Sequence, residues 1–287
     1  MTLQDNTHLK ILRDAAKGRY GVIASTSYTV EHMLGLIKAA ERRRSPLIIQ
    51  LFPWSVKFSD GVLVHAAAQA AKQARVPVSV HLDHCQSPEL VKQACELPFD
   101  SIMVDMSHFD KSENLSKTKE LVEYCHARGK ATEAEPGRIE GGEDGISDTA
   151  DLSGAMTTEG EVHDFAASGV DCIAPAFGNV HGKYGRRGVV LEWDRESLEM
   201  VRGISSKKNL FLALHGVDHF PDELLQRLVA SGISKVNINK DVMVPYYEHL
   251  EKNANKIPFT QLLEDGVEAV AKAAEHLMDV IGSSGKV

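Results

Sequence analysis

The chain has 287 residues, 43% of them hydrophobic and 25% charged, with a formal net charge of −8. That length buries a sizeable core without staples, and the acidic balance argues against a nucleic-acid surface and obliges an anionic substrate to find a local positive site. Cys85, Cys95, Cys125 and Cys172 show neither CxxC nor zinc-ribbon spacing and read as reduced thiols.

The N-terminus is polar and lacks a basic-then-apolar leader pattern. No apolar run reaches the roughly 18 residues needed to span a bilayer, so the expected setting is the cytosol, with no membrane partner. Short runs rich in Val, Ile, Leu and Ala then mark eight candidate strands, at 21–24, 47–52, 78–82, 101–106, 131–134, 172–177, 210–214 and 235–238. None shows clean apolar–polar alternation, as expected of a parallel sheet buried on both faces. Helical spacing appears at 30–44, 61–75, 114–128 and 221–231, the last with a proline in its first turn. An alanine-rich amphipathic helix closes the chain at 261–281.

Eight strand–helix units predict one (β/α)8 barrel over residues 1–287. A doubly wound open sheet is the alternative, but no GxGxxG follows the first strand. The longest irregular stretch, 136–154, carries five glycines, and a loop of that length in a compact fold usually serves function.

Almost every predicted strand ends in residues that chemistry can use. The third ends in His81, Asp83 and His84; the fourth in Asp105, then Ser107 and His108; the fifth in Glu133 and Glu135. The sixth is followed by Asn179, His181 and Gly182, the seventh by His215 and Gly216, and the eighth by Asn237 and Asn239. In a barrel these ends converge on one face. One histidine or aspartate at a strand end is ordinarily a loop anchor. His84, His181 and His215 gathered with Asp83, Asp105 and Glu135 would be costly to bury without a compensating cation. Three imidazoles with an open position form a catalytic zinc pattern. His81 divides evenly between orienting the site and simple packing. His108, His163 and His219 read as capping or surface residues, and His8, His32, His65, His126 and His249 as ordinary helix residues.

The ordered set resembles the class II fructose-bisphosphate and tagatose-bisphosphate aldolases. The resemblance runs from about Arg19 to the C-terminal Gly282-Ser283-Ser284-Gly285-Lys286, nearest in length to the tagatose branch. Its segments are His81-Leu82-Asp83-His84-Cys85, Ser101 to Asp105 with Ser107-His108, Glu133-Ala134-Glu135-Pro136-Gly137-Arg138, Gly142-Glu143-Asp144, Ala176 to Gly182, Leu214-His215-Gly216 and Lys235-Val236-Asn237. It implies a divalent cation on His84, His181 and His215, zinc with Co2+ or Fe2+ as alternatives, and a second or alternative position at Asp105 and Glu135. It implies Asp83 as the acid/base on the aldehyde side and Glu143 as the residue that removes the carbon-bound proton. Gly182, Gly216, Asn237 and Asn239 fall where such enzymes bind phosphate and enediolate. A monovalent cation near Gly182 and a homodimer or homotetramer are implied too. The activity expected is reversible cleavage of fructose 1,6-bisphosphate, a glycolytic reaction in which the cation stabilises the enediolate by several kcal/mol.

The chain departs from that pattern where substrate is gripped. Ala24-Ser25-Thr26-Ser27 stands where an asparagine is usual, and Phe52-Pro53-Trp54 where small residues are. Val217-Asp218 puts a carboxylate near the expected phosphate. Ile257-Pro258-Phe259 replaces a phosphate-gripping Asp-Pro-Arg, and Gly185 replaces a lysine that Arg186 or Arg187 could substitute. A tagatose-bisphosphate or other ketose-phosphate aldolase is therefore the first alternative, and a non-catalytic regulatory barrel the second. A Schiff-base aldolase would need a cavity lysine, yet Lys130 and Lys235 lie at strand starts; a metal-dependent hydrolase would need His-x-His in the first strand, which is missing.

Overall fold

Alternate residues along each strand face two different cores, and this decides where the polar groups go. The computed structural model describes residues 3–142, 153–182, 184, 195–208 and 210–287. Among these, eight parallel strands close a barrel: β1 (Val22–Thr26), β2 (Leu47–Leu51), β3 (Val78–Cys85), β4 (Ser101–Val104), β5 (Ala131–Ala134), β6 (Cys172–Ile173), β7 (Phe211–Leu214) and β8 (Lys235–Ile238). Each pairs with its sequence neighbours, and β1 meets β8 with Val22 opposite Lys235. The fold is the expected (β/α)8 barrel.

Ile23, Ile49, Val80, Leu82, Ile102, Val104, Leu212, Leu214 and Val236 point outward into the layer shared with the helices. Val22, Ala24, Ile48, Met103, Cys172 and Ala213 point inward. The inward layer nearer the C-terminal ends is polar, and holds Gln50, His81, Asp83, Glu133, His215, Lys235 and Asn237, all buried. The period of two survives, but it separates large apolar residues from small or functional ones.

The other end of the barrel is closed by a helix absent from the predicted elements, α1 (Thr7–Gly18), capped by the Asn6 side chain on Leu9 N–H. Its Ile11, Leu12 and Ala15 join the inner core. His8 also enters: its ring stacks on His81 at 5.3 Å, and Nδ1 lies 3.0 Å from Ser79 Oγ. Its reading as an ordinary helix residue therefore misses a burial inside the barrel. The second helix, α2 (Val30–Arg43), and the C-terminal helix Phe259–Val280 pack together within a residue or two of their predicted ends. Strand β6 stops at Ile173 rather than 177; Pro175 has no N–H to give a ladder.

Candidate metal centre

Asp83 and His84 are sequence neighbours, and on a regular strand they would face opposite sides. Strand β3 escapes this with a bulge. Leu82 pairs with Ile102 and Cys85 with Val104, so two residues of β3 stand against one of β4. His84 occupies the left-handed region with φ 47°, a conformation costing a non-glycine residue roughly 1–3 kcal/mol. The outcome is that Asp83 and His84 both turn into the mouth.

His181 and His215 are brought in by their loops. Residues Val180–His181 form a two-residue parallel ladder with Glu140–Gly141. Gly141, at φ 97°, lies so close that a Cβ there would sit 2.2 Å from the His181 carbonyl oxygen. Gly216, at φ 67°, presses on Val180, whose oxygen would lie 2.6 Å from a Cβ. Asn179 Nδ2 donates to the His215 carbonyl at 3.0 Å, and Tyr184 Oη donates to that of Gly216 at 2.6 Å.

The three imidazoles meet. Ring centroids are 4.8 Å apart for His84 and His181, 4.9 Å for His84 and His215, and 5.8 Å for His181 and His215. One nitrogen from each lies within 4.8 Å of the others, and all three residues are buried. Outer partners aim the rings. His84 Nδ1 is 2.8 Å from Asp105 Oδ2, and His215 Nε2 is 2.9 Å from Glu133 Oε1. Where each acidic partner takes an N–H from a neutral ring, the remaining nitrogens, His84 Nε2 and His215 Nδ1, face each other with lone pairs at 3.1 Å, and the gap suits either the proton of a cationic His84 or a metal ion. Two facing lone pairs require a positive particle between them. The donor set therefore fits a divalent cation with nitrogen ligands and an open position.

Asp105 and Glu135 lie at the same place: with His84 they form a second group of donor atoms within 4.8 Å. Asp105 Oδ1 accepts from Ser107 N and Oγ, at 3.1 and 2.6 Å. Glu135 Oε1 accepts from Ile139 N at 2.7 Å, while Oε2 has no hydrogen-bond partner among the described residues. Burial and the charge of Asp105 push the Glu135 carboxyl up to about 8. Burial also opposes the charge on His84, but Asp83 and Asp105 outweigh it and raise the imidazole to about 10.

Beneath the histidines lies an ionic chamber that the composition of the strand ends does not reveal. Lys235 is fully buried, with Nζ 2.9 Å from Glu133 Oε2 and 2.8 Å from Asn237 Oδ1. Asn237 Nδ2 and Gln50 Nε2 each donate to Asp83 Oδ2 at 3.0 Å. Asp83 Oδ1 keeps no hydrogen-bond partner among the described residues, with His81 Nε2 at 3.6 Å. Burial opposes ionisation of Asp83, but His84 and Lys235 overcome it and hold the carboxyl well below the usual range. Lys235 does stand at a strand start, but its long side chain reaches up the barrel axis. The one signal for it in the sequence is its inward parity with Asn237.

Of the other predicted residues, Gly182 and Gly216 both adopt positive φ at the mouth, and Asn239 stands at the N-cap position of the helix Lys240–Asn253, its Nδ2 donating to Tyr28 Oη at 3.2 Å rather than capping the helix. Glu143, Gly185, Arg186 and Arg187 lie outside the described residues. Asp218 pairs with Lys240 at 2.6 Å. Phe52 packs against His84 with centroids 6.4 Å apart, and Tyr28 touches both Phe52 and Trp54.

Comparison with known proteins agrees with this geometry. A family model described as "Fructose-bisphosphate aldolase class-II" matches residues 6–286. A crystal structure of a Coccidioides immitis protein is 47% identical, with TM-score 0.95, covering 99% of this chain and 98% of that one. Fructose-bisphosphate aldolase of Geobacillus stearothermophilus is 31% identical over 96% of both chains. The 6-phospho-5-dehydro-2-deoxy-D-gluconate aldolase of Bacillus licheniformis is also 31% identical, over 96% of this chain and 94% of its own. With the barrel, the clustered donors and the full-length match together, the chain belongs to the class II fructose-bisphosphate aldolase family, metal-dependent lyases of carbon–carbon bonds.

Proposed function

We propose that the chain catalyses reversible retro-aldol cleavage of a ketose phosphate, with fructose 1,6-bisphosphate the first candidate and dihydroxyacetone phosphate and glyceraldehyde 3-phosphate its products. The observation that carries this reading is the meeting of His84, His181 and His215, with Asp83 within electrostatic reach of His84 and His215. These three histidines would hold zinc, or Co2+ or Fe2+, which when bound supplies Lewis-acid polarisation of the ketose oxygens.

The chain's own groups do the rest. Asp83, ionised and with no hydrogen bond on Oδ1, accepts the hydroxyl proton on the aldehyde side as the carbon–carbon bond breaks. Gln50 and Asn237 fix its other oxygen, so the acceptor lone pair has one direction. Asp105 and Glu133 orient two of the rings, and Asp105 with Glu135 offers an alternative metal position. Glu143 handles the carbon-bound proton, and Gly182, Gly216, Asn237 and Asn239 contribute to binding the phosphate and the reacting carbons. A monovalent cation near Gly182, and a dimer or tetramer, belong to the same reading.

A second reading, a tagatose-bisphosphate or other ketose-phosphate aldolase, is favoured by the Asp218–Lys240 pair beside Gly216 and by the aromatic wall of Phe52, Tyr28 and Trp54 next to His84. A zinc-loaded cleavage screen over ketose mono- and bisphosphates separates the two. Turnover of fructose 1,6-bisphosphate above all others supports the first reading; background turnover there with brisk cleavage of another ketose phosphate supports the second. No cleavage of any would refute both and leave a regulatory barrel.

A further inference from the structure

A cavity of about 650 Å3 opens at the opposite end of the barrel from the histidines. Its lining includes Asp171, Phe211 and Ser234, where strands β6, β7 and β8 begin, whereas the metal centre sits where strands end. The size suits a small organic ligand.

Four cations ring it: Arg13 and Lys17 on α1, Arg19 just after it, and Arg202 from the helix Arg195–Lys208. All four are exposed, and none has a carboxylate partner among the described residues. Arg13 and Lys17 are four apart on one helix face, an arrangement that is mildly destabilising for like charges. Lys17 also complements the helix dipole, but Arg202 comes from the middle of another helix, where the dipole offers no reason for it. The acidic member of the lining, Asp171, has Oδ2 engaged by Thr132 and His126. Tyr20 and Phe211 supply aromatic lining. Asp14, beside Arg13 and within electrostatic reach of Tyr20, and Asp171 offset part of this charge, and the rim keeps a cationic excess in a chain of net charge −8.

We propose that this cavity binds a phosphorylated organic anion, its phosphate on the arginine–lysine rim and its body against Tyr20 and Phe211. Guanidinium forks match phosphate oxygens two at a time. The site is separate from the metal centre, and substitutions at its exposed rim leave the catalytic groups intact.

Calorimetric titration of the metal-loaded protein with ADP, ribose 5-phosphate and inorganic phosphate tests this, repeated on the double variant Arg13→Ala, Arg202→Ala and on Lys17→Ala. Saturable binding of at least one probe, weakened roughly tenfold or more in the double variant while retro-aldol turnover and thermal midpoint hold, is the expected result. ADP binding above phosphate would assign the aromatic lining to the base; equal binding would confine recognition to the phosphate. Binding by none of the probes, or binding undiminished in both variants, would overturn the proposal.

Discussion

Lys235 holds two parts of the site at once: Glu133, which aims His215, and Asn237, which aims Asp83. Lys235→Met should lower metal affinity and turnover by about 10–100-fold, the range seen when outer partners of metal ligands are removed. It should also destabilise the fold by about 3–5 kcal/mol, because the buried Glu133 carboxylate loses its lysine partner and keeps only the His215 N–H. Kinetics and denaturant titration on one variant read both effects. Asp83→Ala should behave differently, keeping metal while cleavage falls about 10²–10⁴-fold. His84 gives a pH prediction. Its proton, held up to about 10, occupies the position a cation must take. Apparent zinc affinity should therefore fall as pH falls, by up to about tenfold per unit, with proton release on binding; affinity flat between pH 6 and 9 would contradict the competition. At this scale the meeting of His84, His181 and His215 is legible in the sequence because histidines at three strand ends, each ordinary alone, are improbable together. Lys235 and Gln50 are not, because their roles depend on which strand neighbours face inward at the same height.

Among the elements, most strands are legible to within a residue or two, since a continuous apolar run with a polar tip fits a strand buried on both faces and little else. Two features escape. Helix α1 precedes the first strand, where the repeating pattern offers no register for it, although Asn6 and the stripe Leu9, Leu12 and Ala15 could have shown it. The β3 bulge leaves no compositional mark, since His84 is not a residue that advertises a left-handed backbone. The glycines bracketing His181 make the element-scale prediction. Gly141→Ala would drive a methyl into the His181 carbonyl at 2.2 Å. The strand pair must separate, and His181 moves with it. Metal affinity should drop at least tenfold with the circular dichroism of the barrel unchanged, and a variant that binds zinc normally would show that the ladder does not position the ligand.

Taken whole, the molecule segregates its tasks: apolar packing outside the strands, a plug at one end, polar machinery at the other. Among the described residues no helix is long and apolar enough to cross a membrane. Burying several histidines has a cost in acid. Burial lowers His32 to about 4, and also depresses His8, His81, His181 and His215. The unfolded chain takes up protons near 6.5 that the folded chain refuses. The stability that these depressed histidines contribute is thus fully present above that value and declines as pH falls toward 4, by up to about 3 kcal/mol for His32 alone. His32→Phe should flatten part of that slope in denaturant titrations between pH 4 and 6.5; an unchanged slope would place the acid sensitivity elsewhere.

The central claim is tested most directly by counting zinc bound per chain, by mass-spectrometric metal analysis after dialysis, in the native protein and in His181→Ala. The account predicts one tightly held zinc in the native protein and almost none in the variant, whose barrel stays folded. Equal zinc in both would contradict it.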